Sequence, residues 1–180
     1  MSYNRDRAFD YAIKYWNRVC DDGYVAVGEP ARPAYIAYPA GSLIEPLQID
    51  GEDDCTHFVS RCIGFVGGGL SIPSTEGMIK GISSAPRLVR YLRSSGLVRT
   101  IVEKVPKTVA ANYIDQMDTG DVIAYFRVKD EDYGRTADYG HTALHIGIGR
   151  VSCHTISRIG TDFKEVGYGS DLITLLHVGP

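Results

Sequence analysis

Cys55 is the cysteine of this chain whose neighbours best suit it to chemistry. It follows Asp53-Asp54 and opens the run Cys55-Thr56-His57-Phe58-Val59-Ser60-Arg61-Cys62. A thiol attacks as thiolate, and the start of a helix is one of the few places that favours the thiolate without a metal. Asp53 or Asp54 is placed to cap that start, because a short carboxylate accepts from the free N–H groups of a first turn. A histidine beside the thiol would take its proton and later protonate a leaving amine. The Cys55 main-chain N–H, with a neighbouring donor, is placed to stabilise an oxyanion. Taken alone, a buried cysteine is more often a small hydrophobe than a nucleophile, and that is the expectation for Cys20, Cys62 and Cys153.

The element that carries Cys55 reads as an amphipathic helix. Phe58, Val59, Cys62, Ile63 and Val66 recur at the spacing of one buried face, and Gly67-Gly68-Gly69 follows as a stop. The base must come from further along. Gly140-His141-Thr142-Ala143-Leu144-His145-Ile146-Gly147 alternates as a strand, with His141, Ala143 and His145 on one face. Beyond a turn at Ile148–Gly149, Val151-Ser152-Cys153-His154-Thr155 runs back. With Ala143 opposite His154, His154 is a diagonal neighbour of His141, roughly 7–8 Å away, in the position of the group that orients the base. A shift of one residue sends His154 to the other face. His57 lies about 200° around the helix from Cys55 and points away from it. His145 is about 13 Å further along its strand than His141, and His177 has no supporting pattern.

Around these residues the sequence predicts helices first and strands afterwards. Arg5 to Val19 and Ser84 to Ser95 carry helical spacing, the second stopped by Gly96. Residues 20 to 52 are rich in glycine and proline and read as loop, with Tyr35 to Tyr38 extended. Thr75 to Gly81 gives no clear pattern. Asp121 to Val128, His141 to Ile148, Val151 to Ile156 and Ile173 to Val178 read as strands. This order indicates an α+β fold, with N-terminal helices packed on a C-terminal antiparallel β-sheet.

The 180 residues suit a single domain, residues 1–180, with one well-buried core. A net charge of −3 carries no basic signal, which argues against nucleic acid and anionic membranes as partners. No apolar run reaches the length of a membrane span. Cys55 and Cys62 lie seven residues apart on one helix, about 10 Å by helical rise, too far for a disulfide. The N-terminus lacks an apolar signal-peptide core, so the expectation is a cytoplasmic protein or one exported without a recognisable signal. A metal site built from Cys55, His57, Cys153 or His154 has suitable ligand types but no Cys-x-x-Cys or His-Glu-x-x-His spacing, so no metal and no cofactor is expected.

Four segments together resemble the bacterial putative amidase domain family, a branch of the papain-like NlpC/P60 and CHAP cysteine hydrolases. They are Tyr3 to Ala8 with Tyr11-Ala12 and Tyr15-Trp16-Asn17, Asp54 to Cys62 with Gly67-Gly68, Gly120-Asp121-Val122-Ile123-Ala124-Tyr125, and His141-Thr142-Ala143 with Cys153-His154-Thr155. The resemblance implies a papain-like NlpC/P60-type fold. It implies a thiol-dependent amidase or peptidase with Cys55 as nucleophile, His141 as base and His154 as third member. Asp54, Thr56 and Tyr139 are then expected to support the site or contact substrate. The implied substrate is a peptide or peptidoglycan fragment, with an immunity or inhibitor protein as partner if the protein is a secreted toxin. The alternative is a non-catalytic peptide- or cell-wall-binding module on the same fold. Three features depart from the family: His57 stands for asparagine, Arg61 for glutamine, and the segment from Gly28 to Asp50 is longer, a candidate wall of the cleft.

Overall fold

The computed structural model describes residues 2–28, 34–47, 49, 52–74, 77, 79–128, 137–167, 169–170 and 172–179. Helix α1, Arg5–Tyr15, begins where the Asn4 side chain accepts from the Arg7 N–H, and buries Ala8, Tyr11, Ala12 and Tyr15. That stripe of small and aromatic residues at i, i+3, i+4 and i+7 is the face a helix lays on a core. Val19 is buried too, but beyond the helix end, in a satellite cluster with Val25, Val27 and Ile44.

The segment expected to be mostly loop holds regular structure. Strand β1, Tyr24–Val27, pairs antiparallel with β2, Ala34–Ala37, and a short 3-10 turn covers Glu45–Leu47. Residues 29–33, 48 and 50 of the longer segment lie outside the described residues.

Helix α2, Cys55–Ile63, is shorter than the pattern predicts, and its polar side is covered as well as its apolar one. All nine of its residues are buried. Gly64 leaves the helix in an extended conformation, so Phe65 and Val66 are exposed instead of continuing the apolar face. Gly67 and Gly68 serve close approach: a Cβ at the first would overlap the Cys62 carbonyl, and at the second the Tyr3 ring. Residues 75, 76 and 78 of the unclear Thr75–Gly81 stretch lie outside the described residues. Helix α3, Ala85–Ser94, buries Ala85, Leu88, Val89 and Leu92 and is followed by Gly96 at φ +65°.

Strand β3, Val98–Pro106, was not foreseen. After it come the one-turn helix α4, Lys107–Ala110, and a 3-10 stretch over Ala111–Gln116. Then follow β4, Val122–Arg127, β5, Asp138–Gly147, β6, Arg150–Cys153, β7, Arg158–Asp162, and β8, Leu172–Val178. The last six strands form one antiparallel sheet in the order β3-β8-β4-β5-β6-β7. Helices and sheet therefore combine as the α+β reading expects.

The sheet is covered on both faces. Phe58, Val59, Leu88 and Leu92 of α2 and α3 pack against Val122, Ala124, Leu144 and Leu176. On the other face Ile123, Tyr125, Ala143, Cys153, Ile173 and Leu175 pack with Ala110, Met117 and Phe163. This double burial makes β4 apolar at every one of its first four positions. The Gly120-Asp121 motif ties α1 to the sheet. Arg5 Nη1 donates to Asp121 Oδ1 at 2.6 Å, the Val178 N–H donates to the same oxygen, and the Tyr3 hydroxyl donates to the Gly120 carbonyl at 2.6 Å. His177 Nδ1 meets Asp121 Oδ2 at 3.0 Å, which gives that histidine a structural place.

Candidate active site

Cys55 sits at the first position of α2, 2% exposed, with its sulfur on β5. The Thr142 main-chain N–H bonds that sulfur. Thr56 Oγ1 lies 3.7 Å from the sulfur and accepts from Thr142 Oγ1 at 3.2 Å, so two threonines stitch the helix start to the strand.

The thiol is raised at this helix start, not lowered. Burial, and after it the Asp53 carboxylate, push Cys55 up to about 12, against the opposing bonds from Thr142 and Thr56. The sulfur can donate to Asp53 Oδ1 at 3.9 Å. Asp53→Asn removes that negative charge, so the thiol should ionise more readily. Iodoacetamide labelling of Cys55 at pH 8, followed by peptide mass, is expected to speed up several-fold, by about 1 kcal/mol on the ionisation. An unchanged rate would mean that burial alone sets the thiol.

His141 precedes Thr142, so the peptide between the two carries the N–H that holds the sulfur. Its ring tilts against Tyr125 at 5.3 Å between centroids. Its Nε2 is buried and has no hydrogen-bond partner. Among the described residues no hydrogen bond joins His141 to Cys55.

His154 lies elsewhere than the sequence reading places it. Leu144 pairs with Ser152 and His145 with Val151, and a bulge precedes the Gly147–Arg150 pair. That bulge shifts the register by one residue relative to an Ala143–His154 pairing, which turns His154 towards the helices. Its Nδ1 meets Asp54 Oδ2 at 2.8 Å, its Nε2 meets the Tyr15 carbonyl at 2.7 Å, and its ring stacks on Phe58 at 4.1 Å. Both nitrogens are thereby engaged, and neither bonds His141.

Asp54 is the hub of the site's interior. It occupies the N-cap position but makes no cap bond. Its carboxylate accepts instead from the Ala26 N–H at 2.7 Å, meets His57 Nδ1 at 2.9 Å and meets His154. Burial opposes the charge, but His57 and the bonds from His154 and His57 outweigh it and hold the carboxyl at about 2. His57 Nε2 meets Asp22 Oδ2 at 3.0 Å. Here too burial works against the cation, and the two carboxylates prevail, lifting His57 to about 10. His57 thus faces away from the thiol, as helix geometry requires. One turn on, Arg61 holds Asp21 through Nε and Nη2, at 3.1 and 2.8 Å.

The remaining candidates have structural contacts. The Tyr139 hydroxyl bonds Thr174 Oγ1 at 3.0 Å, and its ring meets Phe126 edge-on. His145 accepts from the Gly149 N–H and bonds the Asp118 carbonyl, in a surrounding that lowers its pKa, chiefly by burial. Glu52, which the sequence reading passed over, accepts from the Thr155 N–H at 3.1 Å and is raised by burial. Its signal was its place directly before Asp53-Asp54, of which only those two were read, for capping.

One group of metal-ligand types clusters among the described residues: Cys20, Asp54 and His57, with ligand atoms within 4.8 Å of one another. It is not the set the sequence suggests. Both His57 nitrogens and both Asp54 oxygens are already hydrogen-bonded, and burial keeps the Cys20 thiol well above its usual range. These donors fit one another and do not fit an ion. Among the described residues no helix is long and apolar enough to cross a membrane.

Residues 2–171 match the family model described as a putative amidase domain. No curated protein and no solved structure matches the chain.

Proposed function

We propose, from the premise that this chain belongs to the putative amidase domain family, that it hydrolyses an amide bond with Cys55 as nucleophile and His141 as base. The family points to a hydrolase; the thiol mechanism is our reading. The observation that carries it is the contact of the Cys55 sulfur with the Thr142 main-chain N–H, next in sequence to His141, whose Nε2 has no hydrogen-bond partner.

In this mechanism substrate binding brings the His141 ring to the sulfur. The ring takes the thiol proton as sulfur bonds the amide carbon, and N–H groups at the start of α2 receive the oxyanion. The C–N bond then breaks, and the imidazolium gives its proton to the departing amine. Water, deprotonated by His141, attacks the thioester and releases the acid and the free thiol. His154 serves through Asp54, not as the partner of His141. We place the fold with the papain-like NlpC/P60 hydrolases and the substrate among peptidoglycan stem peptides or other short peptides.

The thiol held at about 12 and the missing Cys55–His141 bond favour a second reading, a non-catalytic module that binds the same ligands. Incubating the protein with a muropeptide digest and a short-peptide library, followed by mass spectrometry, separates the two. New carboxyl and amine termini support the hydrolase. Retention of intact peptides without cleavage supports the binding module.

A further inference from the structure

Asp22, His57, Asp54 and His154 form a continuous buried chain that ends on the Tyr15 carbonyl. Its side chains are 2% exposed at Asp22 and fully covered at the other three. The contacts run 3.0 Å from Asp22 Oδ2 to His57, 2.9 Å from His57 to Asp54 Oδ1, 2.8 Å from Asp54 Oδ2 to His154 and 2.7 Å from His154 to Tyr15. His57 lies between two carboxylates, both acceptors, so both of its ring nitrogens donate and it carries a positive charge. The chain joins the 20–27 segment, the start of α2, the turn after β6 and the end of α1. At its centre is Asp54, the residue bonded to Cys55.

We propose that Asp22 and His57 are positioning residues, which hold the Asp54 carboxylate and so fix the peptide that carries Cys55 against the Thr142 N–H. Two further contacts work in the same direction: the Ala26 N–H on Asp54 and the Asp53 N–H on the Ala26 carbonyl at 2.9 Å. The adjacent pair of Arg61 with Asp21 holds the same loop one turn along. The latch depends on matched charge. Losing His57 leaves two buried carboxylates without the cation between them, and losing Asp22 leaves that cation with one carboxylate in place of two, whereas losing both returns the chain to its native net charge. The groups facing His57 are Asp22, Asp54 and Cys20, with His154 beyond Asp54 and Arg61 beyond Asp22.

The inference rests on Cys55 being the reacting thiol, but its test reads the position of that thiol and not turnover. Cys55 is labelled with iodoacetamide in the native protein, in Asp22→Asn, in His57→Asn and in the double variant, and the labelled peptide is weighed. At pH 8 each single variant is expected to label roughly tenfold faster or more, the effect of about 1.4 kcal/mol on a local opening. The double variant is expected within about twofold of native, because the exchange is coupled. The native rate should also rise near pH 10, where His57 loses its proton, beyond what thiol ionisation gives. That step should be absent from the double variant.

Folded single variants that label at the native rate would overturn the proposal, and so would a double variant as fast as the faster single. If a single variant does not fold, the double decides: folded and slow supports the latch, unfolded overturns it. A Cys55→Ala protein that still hydrolysed substrate would end the functional reading and leave this result untouched.

Discussion

Cys55→Ala is expected to abolish hydrolysis, a loss of at least about a thousandfold in kcat, while the protein keeps its fold. The substitution removes the only atom that forms the covalent bond and leaves the oxyanion donors and binding surface in place. What remains is their contribution alone, which is small where the nucleophile is missing. The structural cost is modest, because the thiol is a small group whose contacts are one N–H from Thr142 and weak contacts with Thr56 and Asp53. The check is kcat on whichever muropeptide or peptide the native protein cleaves, beside a denaturation curve. An active Cys55→Ala protein would move the nucleophile elsewhere. An inactive but unfolded one would make Cys55→Ser the variant to measure.

Asp54→Asn should destabilise the protein by about 3–5 kcal/mol, the effect of removing one member of a buried charged network. The amide presents a donor where His57 or His154 also donates, and His57 is left with one carboxylate in place of two. Urea unfolding at pH 7, native against variant, reads the difference. The pH dependence has two signs. Asp54 is held at about 2 in the fold against 3.8 unfolded, so its contribution is complete above 3.8 and is lost as pH falls through about 2. His57 is raised from 6.5 to about 10, so its contribution is complete below 6.5 and is lost as pH rises through about 10. Native stability minus Asp54→Asn stability should therefore be greatest on the plateau between about pH 4 and 6.5. A difference under about 1 kcal/mol there would mean that the chain carries little of the fold.

Period and punctuation made part of this structure readable. Ala8, Tyr11, Ala12 and Tyr15, or Leu88, Val89 and Leu92, are stripes that only a helix makes contiguous. The start of α2 at Cys55, and β4, β5 and β8, follow from the same kind of pattern. β3 escaped because its apolar residues do not alternate: register shifts fall between Thr100 and Val102 and again between Val102 and Val105. As an edge strand, paired among the described residues with β8 alone, it also carries exposed charge.

In the site, Cys55 was legible from its place behind two acids. The state of its thiol was not, because burial and the Asp53 carboxylate, which push it up, act through the folded surroundings. The α2 reading rested on its apolar face, Phe58, Val59, Cys62 and Ile63, and gave no partner to His57 or Arg61. They are buried, and Asp22 and Asp21 match them from a loop some 35–40 positions away in sequence. The position of His154 depended on one register step, and a bulge in β5 changed it. Such non-local pairings leave no periodic trace in the chain.

The central claim is that the Cys55 sulfur becomes acylated. The native protein is mixed with a substrate it cleaves, quenched in acid within the first turnover, digested and weighed. The account predicts an acyl mass on the peptide that holds Cys55, lost on brief exposure to hydroxylamine and absent from His141→Ala. Continued cleavage with no adduct on Cys55, or an adduct on another cysteine, would contradict it.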